Sequence, residues 1–202
     1  TMSGTAGTMR VLWRAGELSR IEWDFTGMLS AIDGQQTMLT TSYDDLTPKA
    51  VGQSDFLSLV FDGTSTQTLT PKATEVVFDM ANTVNYLDSV NSATGVAHAV
   101  ITDRAPTLTF DAEAVATGTE ANHALTMLTN ADKAAVTLKH DTGGGNGNAC
   151  QFTAPEAQLV NLTYGDRNGV ITENYTMRLC SASTGSGTSD DEWKFEWQSA
   201  NF

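Results

Sequence analysis

The stretch Leu162-Thr-Tyr-Gly-Asp-Arg-Asn-Gly-Val-Ile-Thr-Glu-Asn-Tyr-Thr-Met-Arg-Leu179 reads as a strand, a tight turn and a second long strand. Asn168-Gly169 carries the hairpin signal, because both residues tolerate the positive φ that a type I′ turn requires. Asp166 and Arg167 extend the turn and keep it in solvent. Nothing in the stretch resembles a nucleophile, a metal cluster or a phosphate loop. It carries architecture rather than chemistry, and it points to a protein that works through a β-surface.

Working outward, the rest of the chain repeats this character. Met9 to Thr26 reads as a hairpin broken at Ala15-Gly16-Glu17. Its second strand alternates Ile21, Trp23 and Phe25 with Arg20, Glu22, Asp24 and Thr26, giving one apolar and one charged face. Met28 to Asp55 is interrupted by Gly34 and Pro48, is dominated by Ser, Thr, Gln and Asp, and reads as a long surface loop. Phe56–Phe61 is a short apolar strand. Thr74 to Ala81 is another, with Val76, Phe78 and Met80 against Glu75, Val77 and Asp79. Asn82 to Gly95 reads as a polar excursion, followed by strands at Val96–Thr102 and Thr107–Phe110.

The one helical candidate runs from about Thr119 to Asn130, where Ala121, Leu125 and Leu128 share a face. Ala135–His140 returns to strand, Thr142–Asn148 is a glycine-rich turn, and Ala149–Phe152 pairs back until Pro155 ends that strand. Ser181–Ser189 is a Gly/Ser/Thr linker, and Glu192–Trp197 closes as an aromatic strand with Trp193, Phe195 and Trp197 on one side. The expectation is a mainly β fold, a twisted β-sandwich or partial barrel with one flanking helix, forming a single domain over residues 1–202.

The 202 residues are 40% hydrophobic and 17% charged, enough apolar material for a sizeable core and too little charge for a disordered acidic chain. With 24 Asp plus Glu against 11 Lys plus Arg, the net charge is −13. Such a surface repels nucleic acid and cannot bind it by neutralising phosphates. It is compatible with letting DNA pass without sticking. No apolar run approaches the roughly 20 residues of a membrane span. The start, Thr1 to Thr8, has no signal-peptide pattern, so cytoplasmic synthesis is expected. Cys150 and Cys180 both fall in strands and read as free thiols, with a disulfide left open.

Candidates for chemistry are few. His98, His123 and His140 have no ligand spacing among them. Gly143 to Gly147 lacks the Lys-Ser/Thr of a phosphate loop and opens no helix. Asp190-Asp191-Glu192 lacks the alternation of a calcium loop and reads as a solvated acidic turn. There is no Gly-x-Ser-x-Gly elbow. No catalytic, metal or cofactor residue is assigned, and an enzyme is not expected. Trp13, Trp23, Trp193 and Trp197 read as core, at least two of them; an exposed aromatic pair would mark a carbohydrate platform or a subunit contact.

Several strings together resemble one family, the tail tube (major tail) proteins of long-tailed bacteriophages. Gly4-Thr-Ala-Gly-Thr8, followed by a hairpin and Phe25-Thr-Gly27, is similar to a stretch of that family. Asp103-Arg-Ala-Pro-Thr-Leu-Thr-Phe-Asp-Ala-Glu-Ala114 resembles its Arg-x-Pro stretch ending in Phe-Asp-Pro-Glu-Ala, with Ala112 in place of the usual proline. Tyr164-Gly-Asp-Arg-Asn-Gly-Val170 resembles its strand–turn–strand signature, and Ser189 to Trp197 its acidic turn and last strand. The order and spacing fit across most of the chain, and the joint order is more specific than any one motif. Family members carry a further N-terminal portion, and Met28 to Asp55 has no clear counterpart in them.

The resemblance implies hexameric rings stacked into a tube, a conduit for DNA, with other tail proteins at the tube ends. It places the protein in the virion tail after assembly in the host cytoplasm. Under that implication Glu22, Asp24, Glu75 and Asp79 are candidates for a lumen or other solvent face. Met28, Asp33, Tyr43, Asp44, Asp45 and Asp55 are candidates for contact between rings. Rival expectations are another tail or baseplate component on the same scaffold, and a carbohydrate-binding adhesion module.

Overall fold

The computed structural model describes residues 2–29, 50–52, 56–61, 67–69, 71–92, 95–114, 123–140, 149–182 and 192–198. In chain order the strands are β1 (Met2–Arg14), β2 (Arg20–Leu29), β3 (Phe56–Phe61), β4 (Gln67–Leu69), β5 (Ala73–Asp79), β6 (Asn82–Asp88), β7 (Val96–Arg104) and β8 (Thr107–Glu113). The helix α1 (His123–Asn130) follows, then β9 (Lys133–His140), β10 (Ala149–Arg167), β11 (Val170–Cys180) and β12 (Lys194–Gln198). Ten strands form one antiparallel sheet in the order β2-β1-β5-β8-β11-β10-β9-β3-β4, with β12 added to β10; β6 and β7 form a separate two-stranded ribbon. The large sheet curls into an open half-barrel, so the mainly β expectation holds.

The curl has a local cause in β10. Over its first half this 19-residue strand pairs with β9 and β12, and over its second half with β11. Its register shifts between Ala154 and Ala157 against β9, and between Leu159 and Asn161 against β11. Such bulges bend a strand and raise its twist. Pro155 therefore does not end the strand. It sits inside the first irregularity, where its missing N–H costs no ladder bond.

One face of the curled sheet holds the core. Strict alternation places Leu108, Phe110 and Ala112 of β8 and Ala134, Val136 and Leu138 of β9 inside. An aromatic cluster fills the centre: Phe78 lies 4.8 Å from both Phe152 and Trp193, and Trp13 lies 6.0 Å from Phe152 and 6.2 Å from Phe195. Trp13 and Trp193 are core residues as expected, whereas the Trp197 side chain falls outside the described residues. Phe110 stacks on Tyr175 at 4.7 Å. Burial, and the Tyr175 hydroxyl donating to Glu173 Oε2 at 2.7 Å, push that phenol above the ordinary tyrosine range. Cys150 and Cys180 are both free thiols.

Several expectations are corrected. The first hairpin is longer than Met9 to Thr26, since Met2 pairs with Leu29 across it. Met28 is consequently a strand residue of β2 rather than part of a loop. Asp33, Tyr43, Asp44, Asp45 and Asp55 lie outside the described residues. Beyond them Val51 is tied to the β1–β2 turn: its carbonyl accepts from Gly16 N at 2.9 Å and its N–H donates to Glu17 O at 2.8 Å. Asn82 to Gly95 is no simple excursion, because its first seven residues form β6. The helix begins within the described residues at His123, and its buried side is Ala124 and Met127 with Leu128 half-buried; Leu125 is exposed and Ala121 lies outside the described residues. Ala131, at φ 55°, ends it in the left-handed region, and Asp132 N donates back to Met127 O at 3.1 Å. The Thr142–Asn148 turn, including Gly143 to Gly147, lies outside the described residues.

Candidate functional site

The four acids singled out by the resemblance share one face of the sheet, the one turned away from the core. The register makes this unavoidable: Arg10 on β1 is opposite Glu22 on β2 and Asp79 on β5, and Arg14 is opposite Glu75. Residues directly opposite in a ladder point to the same side. The row continues from Asp79 through Thr107, Arg178 and Gln158 to Lys133, crossing seven strands. The face is therefore mixed in charge rather than uniformly acidic.

Each acid also has a local setting. Glu22 Oε1 lies 3.0 Å from Arg20 Nε. Glu75 Oε2 accepts from Arg14 Nε at 2.8 Å. Asp79 Oδ1 accepts from Ala81 N at 2.8 Å and steadies the turn where Ala81 takes φ 47°. Asp24 is exposed, opposite Thr8.

The strongest polar cluster on this face is one the residue patterns do not announce. Asp111 Oδ1 accepts from the backbone N–H groups of Thr74 and Glu75, each at 2.9 Å. Its Oδ2 accepts from Thr74 Oγ1 at 2.6 Å and from Arg167 Nη1 at 2.8 Å. Burial pushes this carboxyl up, but the bonds from Thr74, Glu75 and Arg167 outweigh it and hold the group below its ordinary value. Arg167 is thus not a solvent-facing turn residue. It clamps the β10–β11 hairpin onto β5 and β8. The turn itself is as expected, with Asn168 at φ 54°, Gly169 at φ 85°, and Gly169 N donating to Asp166 Oδ1 at 3.2 Å.

The core-side face is finished over most of the sheet and unfinished at β2. Ile21 packs against the core. Trp23 and Phe25, further along the same face, are 57% and 56% exposed and stack at 5.7 Å with their rings nearly parallel. Trp13 and Trp193 meet the expectation of at least two core tryptophans; Trp23 is not one of them, because β2 is the end strand of the sheet. Opposite Phe25 stands Gly7, where an added Cβ would lie 2.6 Å from the Phe25 ring. That glycine is the sequence sign of the arrangement: the aromatic ring lies flat over a strand position with no side chain. Among the described residues nothing pairs with the outer edge of β2.

The β6–β7 ribbon stands beside this edge. Asn82 Nδ2 donates to Gly7 O at 2.9 Å, Asn82 N to Thr8 Oγ1 at 3.2 Å, and Tyr86 Oη to Gly27 O at 3.3 Å. Gly4, at φ 57°, allows the close approach of β1 to His98 on β7. The Gly4-Thr-Ala-Gly-Thr8 string thus has a structural reason: it seats the ribbon.

Among the described residues no group of three or more His, Cys, Asp or Glu is placed to hold a metal ion. His98 is exposed and His140 buried. Asp190 and Asp191 lie outside the described residues, and Glu192 pairs with Arg104 of β7 at 2.6 Å instead of sitting in a solvated acidic turn. Among the described residues no helix is long and apolar enough to cross a membrane.

No family model matches the chain, and no curated protein matches it. Among solved structures it is similar to a chain of the anti-feeding prophage baseplate, determined by cryo-electron microscopy with six-fold symmetrisation. The two are 12% identical with a TM-score of 0.48, over 66% of this chain and 93% of that one, a degree of likeness that carries no function from one chain to the other.

Proposed function

We propose that the chain is a non-enzymatic structural subunit of a bacteriophage tail tube. It assembles with identical copies into stacked, hexameric rings that conduct DNA in the virion tail. Other tail proteins cap the tube ends, and assembly takes place in the host cytoplasm. The sequence resemblance supports the family. The observation that carries the assembly is the edge of β2, where Trp23 and Phe25 stand exposed beside a row of backbone groups that no strand pairs among the described residues. A lone protein manages such edges by covering or charging them. A ring covers them with its own copies.

The polar face, with Glu22, Asp24, Glu75 and Asp79 interleaved with arginines, offers a wall along which DNA moves without a continuous basic track to hold it. The segment from Met28 to Asp55 is the proposed contact between rings. Electron microscopy of the purified protein in negative stain, at rising concentration, tests the reading: hollow rods of uniform bore are expected. A protein that stays monodisperse at the highest concentration overturns it.

The stacked Trp23–Phe25 pair also favours a second reading, a carbohydrate-binding adhesion module, because flat exposed aromatic faces suit sugar rings. Binding on a glycan array that is lost in Trp23→Ala would support it. Trp193 is unsuited to that test, since it packs on Phe78 in the core.

A further inference from the structure

The sheet has a second opening besides β2. β9 accompanies β10 only as far as Gln158, whereas β11 accompanies it to Arg167. Among the described residues the other side of β10 over 160–167 is therefore unpaired. Along it Leu162 is half-buried and Tyr164 is 64% exposed. Their opposite residues, Tyr175 and Glu173, place both on the core-side face.

We propose, resting on the tube reading, that the outer edge of β2 in one subunit pairs antiparallel with residues 160–167 of β10 in the next copy. Strand direction supports this. All neighbours in the sheet are antiparallel, so direction alternates along the order β2-β1-β5-β8-β11-β10-β9-β3-β4. β10 lies five steps from β2 and runs opposite to it, while β4 lies eight steps away and runs the same way. For copies related by rotation about an axis along the strands, β2 meets β10 as an antiparallel ladder and β4 as a parallel one. Only the first continues the pairing that the whole sheet uses.

Charge opposes the symmetric alternative at the centre of the strand. Two copies of β2 paired antiparallel about Glu22, Trp23 or Asp24 set acid against acid: Glu22 on Glu22, Glu22 on Asp24, or Asp24 on Asp24. Charge also selects a register against β10. With Phe25 opposite Tyr164, the faces match and Glu22 falls opposite Arg167. A shift of two residues, which sets Trp23 opposite Tyr164, places Arg20 against Arg167. In the first register the aromatic stack of β2 lies along Tyr164 and the polar faces of the two subunits join.

Trp23→Lys and Tyr164→Lys each spoil one edge at an exposed position, so both variants should keep the wild-type circular dichroism and thermal midpoint. Phe25→Lys is a second variant of the β2 edge. Sedimentation velocity reads the outcome. Each variant alone is expected to stay at monomer mass, and an equimolar mixture of Trp23→Lys with Tyr164→Lys to form a species of twice that mass and no larger, because only one sound edge pair remains. A mixture that stays monomeric, or either variant forming rods like the wild type, overturns the edge assignment and leaves the tube reading standing. A wild-type protein that never self-associates ends both.

Discussion

β8 and β6 are both seven-residue antiparallel strands, and they are held by opposite means. In β8 every second side chain is buried, so the strand is fixed by apolar contact on one face. In β6 no side chain is buried; the ribbon it forms with β7 leans on β1 and β2 through Asn82, Tyr86 and the glycines beneath them. The same backbone geometry thus serves as structural wall in one place and as an attached arm in another. Burial, not strand length or pairing, separates the two, and it sets how much each region resists change.

The comparison breaks most visibly at the centre of the wall. Phe78 is fully buried beside Phe152 and Trp193. Phe78→Ala removes its contacts and leaves a cavity, and urea denaturation should show a loss of about 3–5 kcal/mol. A loss under 1 kcal/mol would mean that the aromatic cluster is not the core of the sheet.

A smaller effect is expected at the clamp on the polar side of the wall. Asp111→Asn keeps the shape but weakens the bonds to Arg167, Thr74 and Glu75, for a loss of about 1.5–3 kcal/mol at neutral pH. Because the folded-state value of this carboxyl is depressed, its contribution is present above the unfolded value of about 3.9 and disappears as pH falls through the lower folded value. The stability gap between wild type and Asp111→Asn should therefore be constant above about pH 5 and close in stronger acid. A gap that widens on acidification would contradict the assignment.

These two regions were unequally legible in the chain. The alternation of Val76, Phe78 and Met80 and the turn at Asn168-Gly169 locate their strands, because periodicity and positive φ act through adjacent residues. Asp111 and Arg167 meet 56 positions apart only after the register of four strands is set, so no local pattern announces them. β6 is hard to read for a related reason: with no side chain fully buried on either face, it has no need of alternating apolar residues, and Asn82-Thr-Val-Asn-Tyr-Leu-Asp88 reads as polar chain. Pro155 points the other way, since a proline that stops a regular strand is harmless inside a bulge. Trp23 and Phe25 have the right period for a core strand, and only their place at the end of the sheet leaves them uncovered.

The finest test lies in the arm itself. If β6 and β7 are held by polar contacts at their base, their amides should open locally, and hydrogen exchange there should run at least about tenfold faster than in β8 and β11, which open only with the whole sheet. Tyr86→Phe then isolates one attachment. It deletes the hydroxyl that donates to Gly27 O at 3.3 Å, from a residue that is half exposed, so the bond is worth about 0.5 kcal/mol, the low end for a neutral pair. Global stability in urea should stay within about 0.5 kcal/mol of wild type, because the sheet core is untouched. Exchange in β6 and β7 should rise by about two-fold while that in β8 holds still, since a 0.5 kcal/mol loss confined to the arm changes only the arm's opening equilibrium. Equal acceleration in both strands would show that the ribbon and the wall unfold as one unit, and the distinction drawn from burial would fail.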